Sequence, residues 1–351
     1  MNLKTKITEI HYDKKAKGLF FGLLKICSLF YGAASCLKNY LYDNNILKPK
    51  KVDAFVVSVG NFTTGGVGKT PVVAESAKYF IQKGEKPAII SRGYGGKLNN
   101  KIVHVISDGI NLYYKADMAG DEPYWLGVNI DGCAVLTCSN RYKAAKYAVE
   151  ELGCTKVILD DGFQHRKLYR DLDFVLVDSE KMFGNECLLP AGPLREGMEG
   201  FRRLNKLIIV SKDKEHSRAE KIAKIMEKKY FSPHTTPLHK GECDSVVLCK
   251  IEPDYIYNII SGEHLEKGAE IVALSAIGQP EQFYKFLEGD YLIKDKVTFD
   301  DHHQYTIDDI KNIKTKIVTT EKDAVKLSLM KRDDIYALKL KTVLPVEELL
   351  N

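Results

Sequence analysis

Six short apolar runs constrain this chain more than any other feature. They are "AFVVSVG" (54–60), "PAIIS" (87–91), "CAVLTC" (133–138), "KVILDD" (156–161), "DFVLVD" (173–178) and "KLIIVS" (206–211). A strand with one wet face alternates apolar and polar residues. These runs do not alternate, so both faces of each strand are buried, as in a parallel sheet covered by helices on both sides. Longer helical stretches separate them, among them "PVVAESAKYFIQKG" and "NRYKAAKYAVEELG", the second with Gly153 placed as a stop. The pattern predicts a doubly wound α/β domain.

At 351 residues, 44% of them hydrophobic, the chain has material for two domains. Beyond about residue 212 a charged helix, "KEHSRAEKIAKIMEKKY", leads into "FSPHTTPLHKGE" (231–242), read as a connecting segment. Further strand candidates follow at 245–251, 270–278, 317–320 and 335–340, with "PEQFYKFLEG" and "TIDDIKNI" as helices between them. The expected division is an N-terminal apolar helix region (1–50), a phosphate-loop domain (51–228) and a smaller C-terminal α/β domain (229–351).

The first run ends in "GNFTTGGVGKTP" (60–71) and a helix follows. The usual phosphate loop is G-x4-G-K-[ST]. Here Gly68, Lys69 and Thr70 supply its end, Thr63 stands in the first glycine's place, and Gly65 and Gly66 lie inside. Glycines let successive backbone N–H groups converge on phosphate oxygens at a helix N-terminus, where the dipole favours anions. Lys69 can reach the β- and γ-phosphates, and the Thr70 hydroxyl is placed to ligate Mg²⁺. Pro71 is tolerated because the first helical turn needs no donor there.

A second element is "KVILDDGFQHR" (156–166), a strand that delivers Asp160 and Asp161 at its carboxyl end. Such a pair suits a Mg²⁺ site. Adjacent residues on a strand point to opposite sides, so one carboxylate is expected to serve the metal and the other to orient or bind substrate. Loops after the other strands share the same crevice by topology. They carry Arg92 and Tyr94 in "SRGYGG", Asp121 and Glu122 in "AGDEPYW", Arg141 in "SNRYKAA", and Arg195 and Glu196 in "LLPAGPLREG". Three arginines on glycine- or proline-shaped loops favour an anionic ligand. Far down the chain, "TFDDHHQYT" (298–306) holds an acid–histidine cluster of a kind that suits a base or a metal, although from these residues alone a solvated loop is the default reading.

The N-terminal stretch "LFFGLLKICSLFYGAASCL" (19–37) is apolar except for Lys25 and follows Lys4, Lys6, Lys14, Lys15 and Lys17. A signal peptide would carry the phosphate loop to where ATP is absent. A spanning helix would leave Lys25 in hydrocarbon at barely sufficient length. A helix lying in the interface of the cytoplasmic leaflet, with lysines toward anionic headgroups, fits better; a buried helix is the alternative. A formal charge of +5 is too small to argue for nucleic acid, and no nucleic-acid motif is present. The eight cysteines form no CxxC and no zinc spacing, as expected of reduced thiols in a cytoplasmic protein.

Taken in order, "VGNFTTGGVGKTP", "SRGYGG", "GDEP", "DDGFQHR", "LPAGPLRE", "DHH" and "TTEKDAVKL" (319–327) resemble the tetraacyldisaccharide 4'-kinase family from the N-terminal helix nearly to the end. The resemblance implies ATP-dependent phosphorylation, with Mg²⁺, of the 4'-hydroxyl of a tetraacylated glucosamine disaccharide 1-phosphate. It places the reaction on the cytoplasmic face of a bacterial inner membrane, with that surface and the lipid as partners and no obligate protein partner. It assigns catalysis to Asp121 paired with His302, the choice over His303 resting on the order of the DH motif, together with Asp161 and His165. Nucleotide and substrate binding fall to Gly65, Gly66, Gly68, Lys69, Thr70, Arg92, Tyr94, Arg141 and Glu196, and the metal to Thr70 and Asp160. Since His302 belongs to the expected second domain, the site is expected to be completed by domain closure. A membrane-associated phosphate-loop NTPase switch is the rival reading, but it gives no reason for "LPAGPLREG" or for an acid–histidine pair.

Overall fold

The computed structural model describes residues 3–213, 216–230, 245–278, 280–301 and 303–350. Two helices, α1 (Leu3–Tyr12) and α2 (Leu19–Asp43), precede the first strand. The first half then runs β1 (Phe55–Asn61), α3 (Lys69–Gln82), β2 (Pro87–Ser91), β3 (His104–Asp108), α4 (Ala116–Ala119), α5 (Asp121–Asn129), β4 (Ala134–Thr137), α6 (Arg141–Glu150), β5 (Lys156–Asp160), β6 (Leu172–Asp178), β7 (Lys206–Ser211) and α7 (Ser217–Tyr230). The remainder is β8 (Ser245–Asn258), β9 (Glu270–Ser275), α8 (Pro280–Leu287), β10 (Leu292–Thr298), α9 (Ile307–Ile310), β11 (Lys316–Thr320), α10 (Glu321–Leu327), β12 (Ile335–Val343) and α11 (Val346–Leu350).

All twelve strands form one sheet in the order β10-β9-β11-β12-β8-β7-β6-β1-β5-β2-β4-β3. Pairing is parallel except at β3–β4 and β8–β12. The six apolar runs become the buried strands β1, β2, β4, β5, β6 and β7. Period two divides their side chains between two helical layers. Val57, Val59, Ile89 and Ile158 pack on α3 and α5 through Val72, Val73, Ala77 and Leu126. Val56, Ile90, Leu136 and Leu159 pack on α6 through Ala144, Ala145 and Ala148.

Strand β8 links the two parts of the sheet. Its first residues, Ser245–Lys250, extend the parallel ladder on β7, and Lys250–Asn258 pair antiparallel with β12. Beyond it, β9, β11 and β12 carry a core of Ile271, Ala273, Val318 and Leu338 against Phe283, Phe286 and Leu287 of α8. The connecting segment 231–242 lies outside the described residues.

Helix α2 is inverted relative to an ordinary surface helix. Its buried residues are Ser28 and Asn39, and Gly32 meets Leu188 so closely that a Cβ would lie 2.8 Å from Leu188 Cδ1. On the opposite side Leu19, Leu23, Ile26, Phe30 and Leu37 stand 54–84% exposed. A water-facing helix hides its apolar stripe. This one turns it outward; of its 25 residues an 18-residue stretch has a mean hydropathy of 1.6, long and apolar enough to cross a membrane by length and composition.

Candidate active site

The chain leaves β1 at Asn61 and enters α3 at Lys69. Gly68 caps the helix in the left-handed region (φ 102°), a conformation that favours glycine, and a Cβ there would come within 2.9 Å of Ile251 Cδ1. The loop is held from outside. Thr64 N–H donates to the Pro193 carbonyl (2.9 Å), Tyr12 Oη donates to the Thr64 carbonyl (3.3 Å), and Lys212 Nζ donates to the Gly66 carbonyl (2.7 Å). Lys212 also reaches Asp178 Oδ2 at 3.1 Å. In a trans peptide the N–H opposes the C=O, so drawing the carbonyls of Thr64 and Gly66 toward these donors turns the N–H groups of Gly65 and Val67 the other way. Lys69 Nζ sits 3.1 Å from Asn61 Oδ1 and 3.5 Å from Asp161 Oδ1. Thr70, half-buried, follows in the first turn of α3.

The two acids occupy different electrostatic environments, though not by strand alternation, since β5 ends at Asp160 and Asp161 turns out of it in the left-handed region (φ 56°). Burial first, then the charge of Glu122, pushes the Asp160 carboxyl up to about 7. Burial opposes ionisation of Asp161 as well, but Lys69 and Arg195, with Arg141, outweigh it and hold that carboxyl at about 2. Arg195 Nη1 lies 2.7 and 2.8 Å from the two Asp161 oxygens. Paired carboxylates pushed apart in this way mark a functional division. Asp160 is 5% exposed, an acid buried without enough positive charge around it. Such a donor beside a phosphate loop fits Mg²⁺, which uses one or two carboxylates plus phosphate oxygens rather than a cage of protein ligands.

Arg141 begins α6 and is 4% exposed; Asn140 caps that helix by accepting from the Lys143 N–H. Its Nη1 donates to the carbonyls of Cys138 and Ser139 at 3.3 Å, while its buried Nε has no partner among the described residues. Arg92 and both acids of β5 act on its charge, which places the three loops together. Arg92 and Tyr94 are exposed; the backbone of "SRGYGG" packs on the turn before α5, where a Cβ on Gly120 would lie 2.8 Å from the Tyr94 carbonyl. His165 is half-buried. Burial, followed by Arg141, Arg170, Lys167 and Lys38, lowers its imidazole to about 4, and its buried Nε2 has no partner among the described residues.

Asp121 is the first residue of α5, 6% exposed, where the helix dipole favours a carboxylate. Lys326 of α10 lies 2.9 Å from its Oδ2 and is itself 7% exposed. The same ammonium donates to the His303 carbonyl at 3.1 Å. The C-terminal part of the chain therefore meets α5 at this point. The His303 ring is turned elsewhere, stacked on Phe299 with Nε2 3.2 Å from Asp309 Oδ2. His302 lies outside the described residues.

Glu196 is 2% exposed, and its carboxylate is engaged by Arg203 Nη2 (2.6 Å), Gln164 Nε2 (2.9 Å) and Asn39 Nδ2 (3.2 Å). It ties α2 to the loops beside the nucleotide site. Helix α2 adds Tyr31 Oη to the Arg195 carbonyl, Ser28 Oγ to the Leu188 carbonyl and Lys38 Nζ to the Gln164 carbonyl, each at 2.8 Å. Sequence reading did not single out Lys212 or Lys326. Lys326 stands within "TTEKDAVKL", and Lys212 in "VSKDK" fits no motif.

Residues 21–351 match the model of the family described as tetraacyldisaccharide-1-P 4'-kinase, LpxK. A tetraacyldisaccharide 4'-kinase of Syntrophus aciditrophicus is 35% identical over 95% of this chain and 92% of its own length. One from Halothermothrix orenii is 37% identical over 89% of this chain and 84% of its own. The solved structure of LpxK from Aquifex aeolicus in complex with ATP superposes with a TM-score of 0.73 at 31% identity, covering 95% of this chain and 97% of that one. With its phosphate loop, split acid pair and buried Asp121 arranged on that fold, the chain belongs to the tetraacyldisaccharide 4'-kinase family.

Proposed function

We propose that this kinase transfers the γ-phosphoryl group of ATP to the 4'-hydroxyl of a tetraacylated glucosamine disaccharide 1-phosphate, working at the cytoplasmic face of a bacterial inner membrane. The buried Asp121 carboxylate, held at the start of α5 with its neighbour Glu122 acting on Asp160, carries this reading. It gives the loop that binds phosphate an acid fit to receive a proton.

Phosphoryl transfer needs positioning and charge neutralisation more than a strong base. Gly65, Gly66 and Gly68 let the loop amides cradle the β- and γ-phosphates, and Lys69 places its ammonium on them. Thr70 and Asp160 would hold Mg²⁺, which when bound neutralises phosphate charge. Asp161 stays ionised between Lys69 and Arg195 and keeps both cations oriented. Arg92, Tyr94, Arg141 and the neutral His165 bind the anionic ligands. Glu196 positions the loops rather than touching nucleotide. Asp121 accepts the sugar hydroxyl's proton as the oxygen attacks phosphorus in line, and the ADP oxygen leaves with the bond electrons. His302 orients that carboxylate and shares its proton, which tunes its basicity. The segment from residue 229 onward acts as a second domain whose closure excludes water as a competing acceptor.

Purified protein given γ-labelled ATP and a panel of vesicle-borne acceptors tests this. Label is expected in the acylated disaccharide 1-phosphate alone, and Asp121→Asn is expected to bind ATP with little turnover. ATP consumption indifferent to the lipid would instead support a nucleotide switch and refute the kinase assignment.

A further inference from the structure

Lys326 is a buried cation that the assignment above leaves without a task. Its Nζ makes two bonds of different kinds: an ion pair with Asp121 Oδ2 at 2.9 Å and a hydrogen bond to the His303 carbonyl at 3.1 Å. The first partner begins α5, and the second follows directly after His302 in the chain. A parallel, more exposed pair lies one residue on along α5 and one turn back along α10, where Lys322 Nζ is 3.7 Å from Glu122. Helix α10 is itself fixed from below. Its Asp323, fully buried, accepts from the Ala276 N–H at 3.0 Å and from Thr320 Oγ1 at 2.9 Å.

We propose that Lys326 is a positioning residue for phosphoryl transfer, a bracket that fixes the Asp121 carboxylate and the histidine-bearing loop in one geometry. The inference rests on Asp121 acting as the proton acceptor. An ammonium beside a buried carboxylate favours its ionised form and removes its freedom to rotate. A base that must face a hydroxyl within hydrogen-bond reach gains from both. A neutral side chain at 326 would take this cation away from a buried acid, which favours the protonated form. Charged and titratable groups around this contact include Tyr305, whose phenol feels the Asp121 charge, Lys322, paired with the neighbouring Glu122, and Asp323, on which Lys326 and Lys322 act.

The test compares Lys326→Met, Lys326→Gln and Lys326→Arg with Asp121→Asn, measuring kcat against pH at saturating ATP and lipid, and ATP affinity with a fluorescent nucleotide. Loss of a charge-assisted bond at the base predicts a kcat ~10- to 100-fold lower at pH 7 for Met and Gln, with ATP affinity little changed. The acid limb of their profiles should move to higher pH, and Arg should recover part of the rate with the limb near its original place. A merely structural role would lower both constants without moving the limb. If Lys326→Met fails to fold, judged by lost nucleotide binding, the Gln and Arg variants decide. Wild-type kcat and an unmoved limb in Lys326→Gln, with Asp121→Asn inactive, overturn the proposal alone. An Asp121→Asn enzyme with wild-type turnover overturns the underlying reading and this proposal with it.

Discussion

Replacing Leu23, Phe30 and Leu37 together by glutamine is the sharpest test of what the outward face of α2 is for. These side chains are 54, 74 and 59% exposed, on the side opposite Ser28 and Asn39. The polar contacts that dock the helix are therefore left intact. Scaling ~2 kcal/mol per fully buried large apolar side chain by those exposures gives about 4 kcal/mol of membrane transfer, an upper bound corresponding to ~10³-fold in partitioning. Flotation with anionic vesicles measures the partition coefficient, and activity on acceptor dispersed in detergent measures whether the site survives. The triple variant should lose vesicle binding by one to three orders of magnitude while keeping detergent-phase kcat. Raised salt should weaken wild-type binding too, because Lys14, Lys15 and Lys17 are exposed beside the helix. Unchanged flotation would refute the argument that this face meets lipid. Deleting the helix would be a poorer experiment, since Tyr31, Ser28, Lys38 and Asn39 hold the loops of the site.

Other consequences can be measured on the same material. Lys212→Met removes a charge-assisted bond to the Gly66 carbonyl, so the KM for ATP should rise ~10- to 100-fold with the lipid KM unchanged, read from initial rates. The Asp160 carboxyl stands at about 7 in the folded protein, far above its unfolded value. Ionising it costs stability as pH rises toward and through 7, and metal binding must displace that proton. Apparent Mg²⁺ affinity should therefore climb from pH 5.5 to about 7 and level off above it, followed by activity against Mg²⁺ concentration. Burial and neighbouring cations hold His165 at about 4, so its imidazole should be neutral at pH 6 by NMR, and adding nucleotide phosphate should raise its pKa.

How far the sequence could be read follows the physics of burial. The strands covered on both faces announced themselves as unbroken apolar runs. The two that escaped notice, β3 and β10, are the two edges of the sheet. Strand β10 exposes most of "LIKDKVT", and its lysines and aspartate are what an unpaired edge carries to discourage further pairing. The phosphate loop and the acid pair were legible because their chemistry is local: glycines, one lysine and two aspartates within short stretches. Lys212 and Lys326 were not. Each acts on a residue more than a hundred positions away, Gly66 and Asp121 respectively, and a lone lysine carries no local mark of its partner. Glu196 was legible as part of a motif, but its burial against Asn39, Gln164 and Arg203 was not. Family resemblance supplied the acceptor, which no residue pattern alone specified.

Strand β8 restricts how the molecule can deform. Lys250 is counted in both of its ladders, opposite Ser211 on one side and Val343 on the other. A slip of one residue along either would present the wrong set of side chains to both covering layers at once. Sliding of β8 along either neighbour is thereby costly. The closure proposed above would then be taken up as twist or flexure of β8, and because Ile251 lies against Gly68, such flexure would be felt at the phosphate loop itself.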